Sequence, residues 1–250
     1  MLQQTQTVRV VGPWERFLAA YPTPTSCANA PLSHVLTLWA GLGYHRRAKS
    51  LHETARRIRD EFDGRVPHDV ALLRSLPGVG DYTANAVASF AFGLPVAVLD
   101  TNVGRVLART VANRQLGRAE ARVMAQKLLP KKESANFNQA MIDLGSQFCR
   151  ATPLCEICPV VGVCRWRAEG GRDPAPASAA VSRVQPPFEG SDRQARGRIL
   201  AALRHGPQSP NHLADLIGNS LIDRVPVLLA GLLRDGLIEH RDSDVQLSEN

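Results

Sequence analysis

From Leu76 to Tyr82 the chain reads Leu76-Pro77-Gly78-Val79-Gly80-Asp81-Tyr82, and no other stretch restricts the fold as much. Pro77 lacks an N–H and restricts the residue before it, so a helix arriving from the N-terminal side must stop here. Gly78 and Gly80 permit a tight turn and let a ligand reach the backbone without meeting a Cβ. A new helix is predicted to start near Asp81. The stretch therefore predicts a hairpin between two helices, with Val79 turned toward the core. The free N–H groups of the turn and of the helix start would point outward together. Such a concavity suits an anion, and a DNA phosphate is the obvious candidate. An apolar run, predicted helical, follows and ends in Val98-Leu99-Asp100-Thr101-Asn102, ahead of a further predicted helix over Val103 to Val111. Beside a phosphate-gripping hairpin, Asp100 is a carboxylate placed for chemistry on DNA. Taken singly, the same residues also suit a plain helix connection and an N-cap.

Four further residues narrow the choice. Cys149, Cys155, Cys158 and Cys164 form a C-x5-C-x2-C-x5-C run. Four thiolates inside sixteen residues can wrap one metal centre. A structural zinc site usually separates two C-x2-C pairs by a longer stretch, and a compact single loop suits an iron–sulfur cluster at least as well. Cys27 stands alone and reads as a small core residue. The cysteine pattern is not that of a secreted disulfide framework. A formal charge of +7 and a pI near 9.6 point to a polyanionic partner. There is no run of apolar residues long enough for a membrane span and no signal-peptide pattern, so the expected location is cytoplasmic and nucleoid-associated.

Residues 1–168 read as successive helices without a long alternating strand pattern. Helical patterns run over Val8 to Tyr21, from Pro31 to Gly41, over Ala48 to Phe62, His68 to Leu76, Arg118 to Leu129 and Asn136 to Phe148. Gly41-Leu42-Gly43-Tyr44-His45-Arg46-Arg47 is a glycine-broken turn with an aromatic and three potentially basic side chains. Such a turn can present a wedge and phosphate contacts to a duplex, or simply start a helix with a solvated basic face. Residues 169–190 read as a Pro/Ala/Gly-rich linker. Residues 191–250 read as three short helices, the third over Leu221 to Asp235, and a small hairpin. That is the pattern of a winged helix or of a small helical packing domain.

The hairpin, Asp100 twenty residues after Gly80, and the cysteine run together resemble the helix-hairpin-helix DNA glycosylases of the endonuclease III superfamily. The resemblance covers about residues 1–168. Within it, four segments resemble the MutY adenine glycosylases: Met1 to Gln6, Leu38 to Tyr44, Val103 to Arg109 and Phe137 to Gly145. It implies an all-α fold with a helical barrel domain, about 1–95, and an iron–sulfur cluster domain, about 96–168, followed by the linker and the winged-helix-like domain. It implies a monomer acting on double-stranded DNA with mismatched or oxidised bases, and a [4Fe-4S] cluster held by Cys149, Cys155, Cys158 and Cys164. In the bifunctional relatives a catalytic lysine stands where this chain has Tyr82. Without that amine no Schiff base can form, so the resemblance implies a monofunctional glycosylase. Asp100 would stabilise the oxocarbenium-like sugar and Asn102 would orient groups around it. Tyr82 and Asp143 would line the adenine pocket. Gln4, with Gln3 and Thr5, would fill the hole left by the flipped base. Tyr44, backed by Leu42, would wedge near the oxidised guanine, and Gly78, Val79 and Gly80 would hold a phosphate.

The chain departs from that family in several places. The first cysteine gap is one residue short, and Thr101 stands where many relatives have Gly. The family's general-acid Glu would lie two residues before Met1, which leads us to expect a truncated reading of a longer protein. The 60 residues from Ser191 are too few for the Nudix-like domain of many relatives. Three other readings stay open from the sequence: a thymine or uracil mismatch glycosylase, a mismatch-binding fragment without turnover, and a zinc-binding winged-helix transcription factor.

Overall fold

The computed structural model describes residues 1–178, 187–217 and 223–250. Part of the expected linker and the first residues of the expected third C-terminal helix lie outside the described residues. The remainder is mainly helical, and it divides into two compact units.

The first unit comprises Met1–Pro67, Leu76–Gly78 and the described residues of Gln185–Asn250. It opens with helix α1 (Thr7–Ala20), α2 (Pro24–Ala28), α3 (Leu32–Leu38) and α4 (Arg46–Glu61). Helix α2 starts where a capping box forms: Thr23 accepts from the Ser26 N–H while Ser26 accepts from the Thr23 N–H. Helix α4 buries Ala48, His52, Ala55 and Ile58, a stripe at helical spacing. The C-terminal part adds α11 (Asp192–Leu203), α12 (Pro210–Ile217) and α13 (Val225–Arg234), then strands β1 (Ile238–Arg241) and β2 (Asp244–Leu247), paired antiparallel with Ile238 opposite Leu247. A bridge between Gln208 and Val245 fixes the hairpin to the turn before α12. Among the described residues this part thus holds three helices and a two-stranded hairpin.

The second unit comprises His68–Ser75 and Val79–Val184 within the described range. It holds α5 (Val70–Ser75), α6 (Asp81–Phe92), α7 (Thr101–Val106), α8 (Arg118–Leu128), α9 (Ser134–Asp143) and α10 (Arg165–Glu169). Helix α7 runs on as a π-helical segment over Leu107–Ala112, and α9 does the same over Leu144–Phe148. Two 3-10 turns, Cys155–Ile157 and Val161–Val163, shape the cysteine loop. Ala97, Val103, Leu107, Ala108, Leu116, Ala121 and Ala125 form its core.

The compact units do not follow the expected boundaries at residues 95 and 168. One reason is a buried amide. Asn138 accepts from the Val98 N–H at 3.1 Å and donates to Ser89 Oγ at 2.9 Å and to the Val96 carbonyl at 2.8 Å. It ties α6 to the segment beyond it. The other is a shared core. Val10, Phe17, Leu32, Val35, Leu36 and Trp39 pack in one cluster with Ile199, Leu213, Leu232 and Leu237. The first half of the expected linker is also part of a packed structure: Ala175 and Ser178 are buried, and Ser178 Oγ accepts from the Leu116 N–H at 3.1 Å. The apolar run before Asp100 is corrected too. Helix α6 ends at Phe92 on a left-handed Gly93, and residues 93–100 are not helical. Among the described residues no helix is long and apolar enough to cross a membrane.

Candidate active site and nucleic-acid interface

The candidate residues fall in both units, and each set has its own geometry. The hairpin forms as expected between α5 and α6, with Leu76–Gly78 grouped in the first unit and Val79 onward in the second. Helix α5 stops at Ser75 and α6 starts at Asp81. Asp81 is gripped by two arginines, Arg74 Nε at 2.9 Å and Arg122 Nη2 at 2.5 Å. Val79 is half-buried. The two glycines differ. Gly78 has φ +71°, and a Cβ there would lie 2.6 Å from Ser50 Cβ, so both conformation and space require glycine. Gly80 has an ordinary extended backbone and open space around it. Its bare face is what an approaching ligand would meet.

Asp100 caps α7, and its Oδ1 accepts from the Val103 N–H at 2.8 Å. Its other oxygen accepts from Asn102 Nδ2 at 2.8 Å. The carboxylate is therefore held at both oxygens. Asn102 is oriented in turn by Arg105, whose Nη2 donates to Asn102 Oδ1 at 2.7 Å and to the Gly145 carbonyl at 2.8 Å. Arg105 Nε also donates to the Cys149 carbonyl at 2.9 Å. A continuous hydrogen-bonded path thus joins Asp100 to the cysteine loop. Tyr82, on the first turn of α6, is 43% exposed. Burial, and then the charge of Asp100, push its phenol above the usual tyrosine value, so it stays protonated. Tyr82, Asn85 and Leu99 line a cleft with Asp81, Arg118 and Arg122. Asp143 is the last residue of α9 and accepts from Gln139 Nε2 at 2.9 Å.

All four cysteines line one cavity of about 350 Å³, counting its open mouth. Cys149 and Cys164 are buried, and Cys155 and Cys158 are partly exposed. Among the described residues no three His, Cys, Asp or Glu side chains are arranged to hold a single metal ion. Arg109 is the organiser of this loop and is only 1% exposed. It pairs with Asp173 through two bonds of 2.9 and 2.6 Å. It also donates to the Arg150 carbonyl at 2.6 Å and the Ala151 carbonyl at 3.1 Å, with Nη1 3.4 Å from Cys149 Sγ. Its guanidinium lies 5.4 Å from the Trp166 ring centre.

In the first unit, Arg47 gathers the N-terminal segment and the glycine-broken turn. Its Nη1 donates to the carbonyls of Met1 at 2.8 Å and Gln3 at 2.5 Å. Its Nη2 donates to Thr5 Oγ1 at 2.9 Å, and to the carbonyls of Leu42 and Gly43 at 3.0 and 3.2 Å. Gln3 Nε2 donates to the Gly78 carbonyl at 3.3 Å. Gln4 and Tyr44 both have left-handed backbones, with φ of 55° and 48°. Non-glycine residues carry strain there, and such strain gathers at ligand-contacting turns. Tyr44 is 39% exposed, whereas Leu42 is only 3% exposed. Leu42 is therefore buried beneath the turn. His45 is not the basic contact the turn suggested. Its Nε2 is buried without a hydrogen-bond partner among the described residues. Burial first, then the charges of Arg204, Arg196 and Arg47, lower its pKa to about 4.

Sequence reasoning did not assign roles to Arg47, Arg105, Arg109 or Asn138. All four stand inside the segments that carried the family resemblance or the glycine-broken turn. Each has partners far away in the chain, such as Met1 for Arg47, Cys149 for Arg105, Asp173 for Arg109 and Val96 for Asn138, which spacing does not reveal.

Residues 1–131 match the model of the HhH-GPD superfamily of base excision DNA repair proteins. The adenine DNA glycosylase of Mycolicibacterium smegmatis is 42% identical over 245 residues, covering 96% of this chain and 81% of that protein. That of Mycobacterium tuberculosis is 44% identical over 210 residues, covering 82% and 67%. The human adenine DNA glycosylase is 40% identical over 73% of this chain and 35% of its own length. Among solved structures, a thermostable thymine-DNA glycosylase superposes with a TM-score of 0.62 at 28% identity, over 67% of this chain and 80% of that one. Endonuclease III in a trapped covalent intermediate with DNA superposes with a TM-score of 0.60 at 32% identity, over 66% and 79%. The chain belongs to the HhH-GPD superfamily of base excision DNA repair proteins, and groups there with the adenine DNA glycosylases.

Proposed function

We propose that this chain is a monofunctional DNA glycosylase that hydrolyses the N-glycosidic bond of adenine mispaired with 8-oxoguanine or guanine. The observation that carries the reading is the held carboxylate of Asp100 with Tyr82, and not an amine, beside it. Chemistry on a stacked base requires flipping it out of the duplex. The backbone of Gly78, Val79 and Gly80 grips a phosphate, and Gln3, Gln4 and Thr5 fill the hole. Tyr44 wedges beside the opposite base. The purine takes a proton from solvent, and the bond from C1′ to adenine N9 then breaks with its electron pair leaving on the purine; the water that later adds at C1′ returns a proton to solvent. Positive charge develops on the sugar, and the preoriented carboxylate of Asp100 stabilises it. Water adds at C1′ and leaves an abasic site. Asn102 keeps the carboxylate in place, and Tyr82 and Asp143 face the adenine.

The four cysteines fit a [4Fe-4S] cluster. They line one cavity, and such a cluster is held by Cys thiolates. A cation also stands at Cys149 Sγ. When bound, the cluster would act as a structural cross-link of the loop. The protein acts as a monomer on double-stranded DNA, at the nucleoid in the cytoplasm.

The test is single-turnover release of adenine from 8-oxoguanine:adenine and guanine:adenine duplexes, with guanine:thymine and guanine:uracil duplexes alongside. We expect adenine release, loss of about 10²- to 10³-fold in Asp100→Asn, and no borohydride-trapped complex. Release of thymine or uracil alone would favour the second reading, a pyrimidine mismatch glycosylase. The likeness to a thymine-DNA glycosylase supports that alternative. Absorbance near roughly 400 nm checks the cluster; a colourless protein with stoichiometric zinc would reject it.

A further inference from the structure

The reading above gives the C-terminal module no task, yet one of its side chains reaches the wedge residue. Arg193, on the first turn of α11, donates from Nη1 to the Tyr44 hydroxyl at 3.0 Å. Its guanidinium also lies 5.9 Å from the centre of the Phe188 ring, which limits its freedom. Tyr44 is also contacted at its ring: the Arg47 guanidinium lies 5.5 Å from the ring centre. Two arginines thus hold it, Arg47 of the turn itself over the ring and Arg193 of α11 at the hydroxyl. The residues after Tyr44 are fixed by the same module. Arg46 Nε is 3.6 Å from Asp235 Oδ1, and Lys49 Nζ donates to the Asp235 carbonyl at 3.1 Å. Asp235 pairs in addition with Arg196 of α11. Beneath these polar contacts lies the core that the module shares with α1 and α3.

We propose that Arg193 is a positioning residue for Tyr44, and that through it the C-terminal module forms part of the surface that reads the base opposite the target. The module is then a wall of the reading turn and not an independent domain on a tether. The clamp fixes the height and tilt of an exposed ring whose left-handed backbone already costs energy. Removing the clamp lets the ring swing, so its fit against 8-oxoguanine over guanine degrades while the Asp100 chemistry stays intact. The proposal rests on the glycosylase reading given above.

The experiment uses the full chain as Arg193→Ala, Arg193→Lys, Tyr44→Phe and the Arg193→Ala/Tyr44→Phe double variant. The readout is the ratio of adenine-release rates for adenine opposite 8-oxoguanine and opposite guanine. Arg193→Ala and Tyr44→Phe should each lower that ratio roughly two- to tenfold, the range of one net hydrogen bond. The double variant should fall no further, and Arg193→Lys should recover part of the loss. A merely structural role would instead lower both rates together and leave the ratio unchanged. A second readout needs no activity. In protein labelled with 3-fluorotyrosine, the fluorine resonance that Tyr44→Phe removes should shift in Arg193→Ala and return toward its place in Arg193→Lys. An unchanged ratio, additive losses or an unmoved resonance would overturn the proposal. If the parent protein frees no adenine from either duplex, the glycosylase reading fails, and the resonance still decides whether the clamp exists.

Discussion

Adding one methyl group at Gly145 should damage the site more than its size suggests. Gly145 sits in the π-helical segment after α9, against the first turn of α7. A Cβ there would lie 2.6 Å from both Asn102 Cβ and the Asn102 carbonyl oxygen, and 2.7 Å from its carbonyl carbon. Ordinary contact begins near 3.4 Å, so the two segments must part by about 0.8 Å. The obstructing atoms are mainly backbone, so no rotamer change relieves the clash. Asn102 carries the donor to Asp100 Oδ2, and Arg105 bonds both Asn102 and the Gly145 carbonyl. The displacement therefore moves the group that aims the carboxylate. A misplacement near 1 Å costs about 10²-fold in rate, and overpacking of a closed core costs about 1–3 kcal/mol. Gly145→Ala should thus lower single-turnover adenine release by several tens of fold to about 10²-fold. Its melting temperature should fall by roughly 2–10 °C. Binding to a product duplex should change little. A rate within threefold of the parent, with an unchanged melting temperature, would refute the claim that this contact sets the Asp100 geometry.

Other expectations follow from the arginine-centred contacts. Arg47→Ala removes the shared donor of Met1, Gln3, Thr5, Leu42 and Gly43. Urea melts should show a loss of at least about 2 kcal/mol, duplex affinity should drop with it, and Arg47→Lys should not restore the fork of contacts. Arg109→Ala leaves Asp173 and the carbonyls of Cys149, Arg150 and Ala151 without their cation, and should cost about 3–5 kcal/mol together with the absorbance assigned to the cluster. His45 is neutral in the fold, because its pKa is lowered to about 4 from an unfolded value near 6.5. The unfolded chain therefore binds more protons between those values. Stability contributed by neutral His45 is present above pH 6.5 and falls by about 3 kcal/mol as pH drops toward 4. Urea melts across that window should show this slope, and His45→Gln should flatten it.

The hairpin and the helix α6 start were legible because Pro77, Gly78 and Gly80 act locally, through their own backbones. Asp100 and Asn102 were legible through the resemblance, and the structure joins them by a hydrogen bond. The cysteines were legible as a set from their spacing. The positions of the compact units were not, because they depend on Asn138 reaching back to Val96 and Val98, and on apolar residues near both ends of the chain sharing one core. Periodicity gives the buried face of a helix but not its partner. Asp173 shows the same limit: within a Pro- and Ala-rich stretch it read as linker, and it is the counter-ion of the most buried arginine. The burial of His45 Nε2 was not legible, because a glycine-broken turn carries no signal of which side chains point inward.

The shared core of the first unit also constrains the order in which the protein can be made. Ser33 bonds to Glu249, 216 positions later, and Leu32 donates to the carbonyl of that same residue. While the ribosome is still extending the chain, helices α1 and α3 must wait for part of the cover of Val10, Val35 and Trp39 until α11, α13 and the β1–β2 hairpin have emerged. Such long-range closure is slow, and exposed apolar surface invites aggregation in the meantime. Expression should therefore depend on chaperone capacity, and a nascent chain stalled before β2 should be captured by holdases.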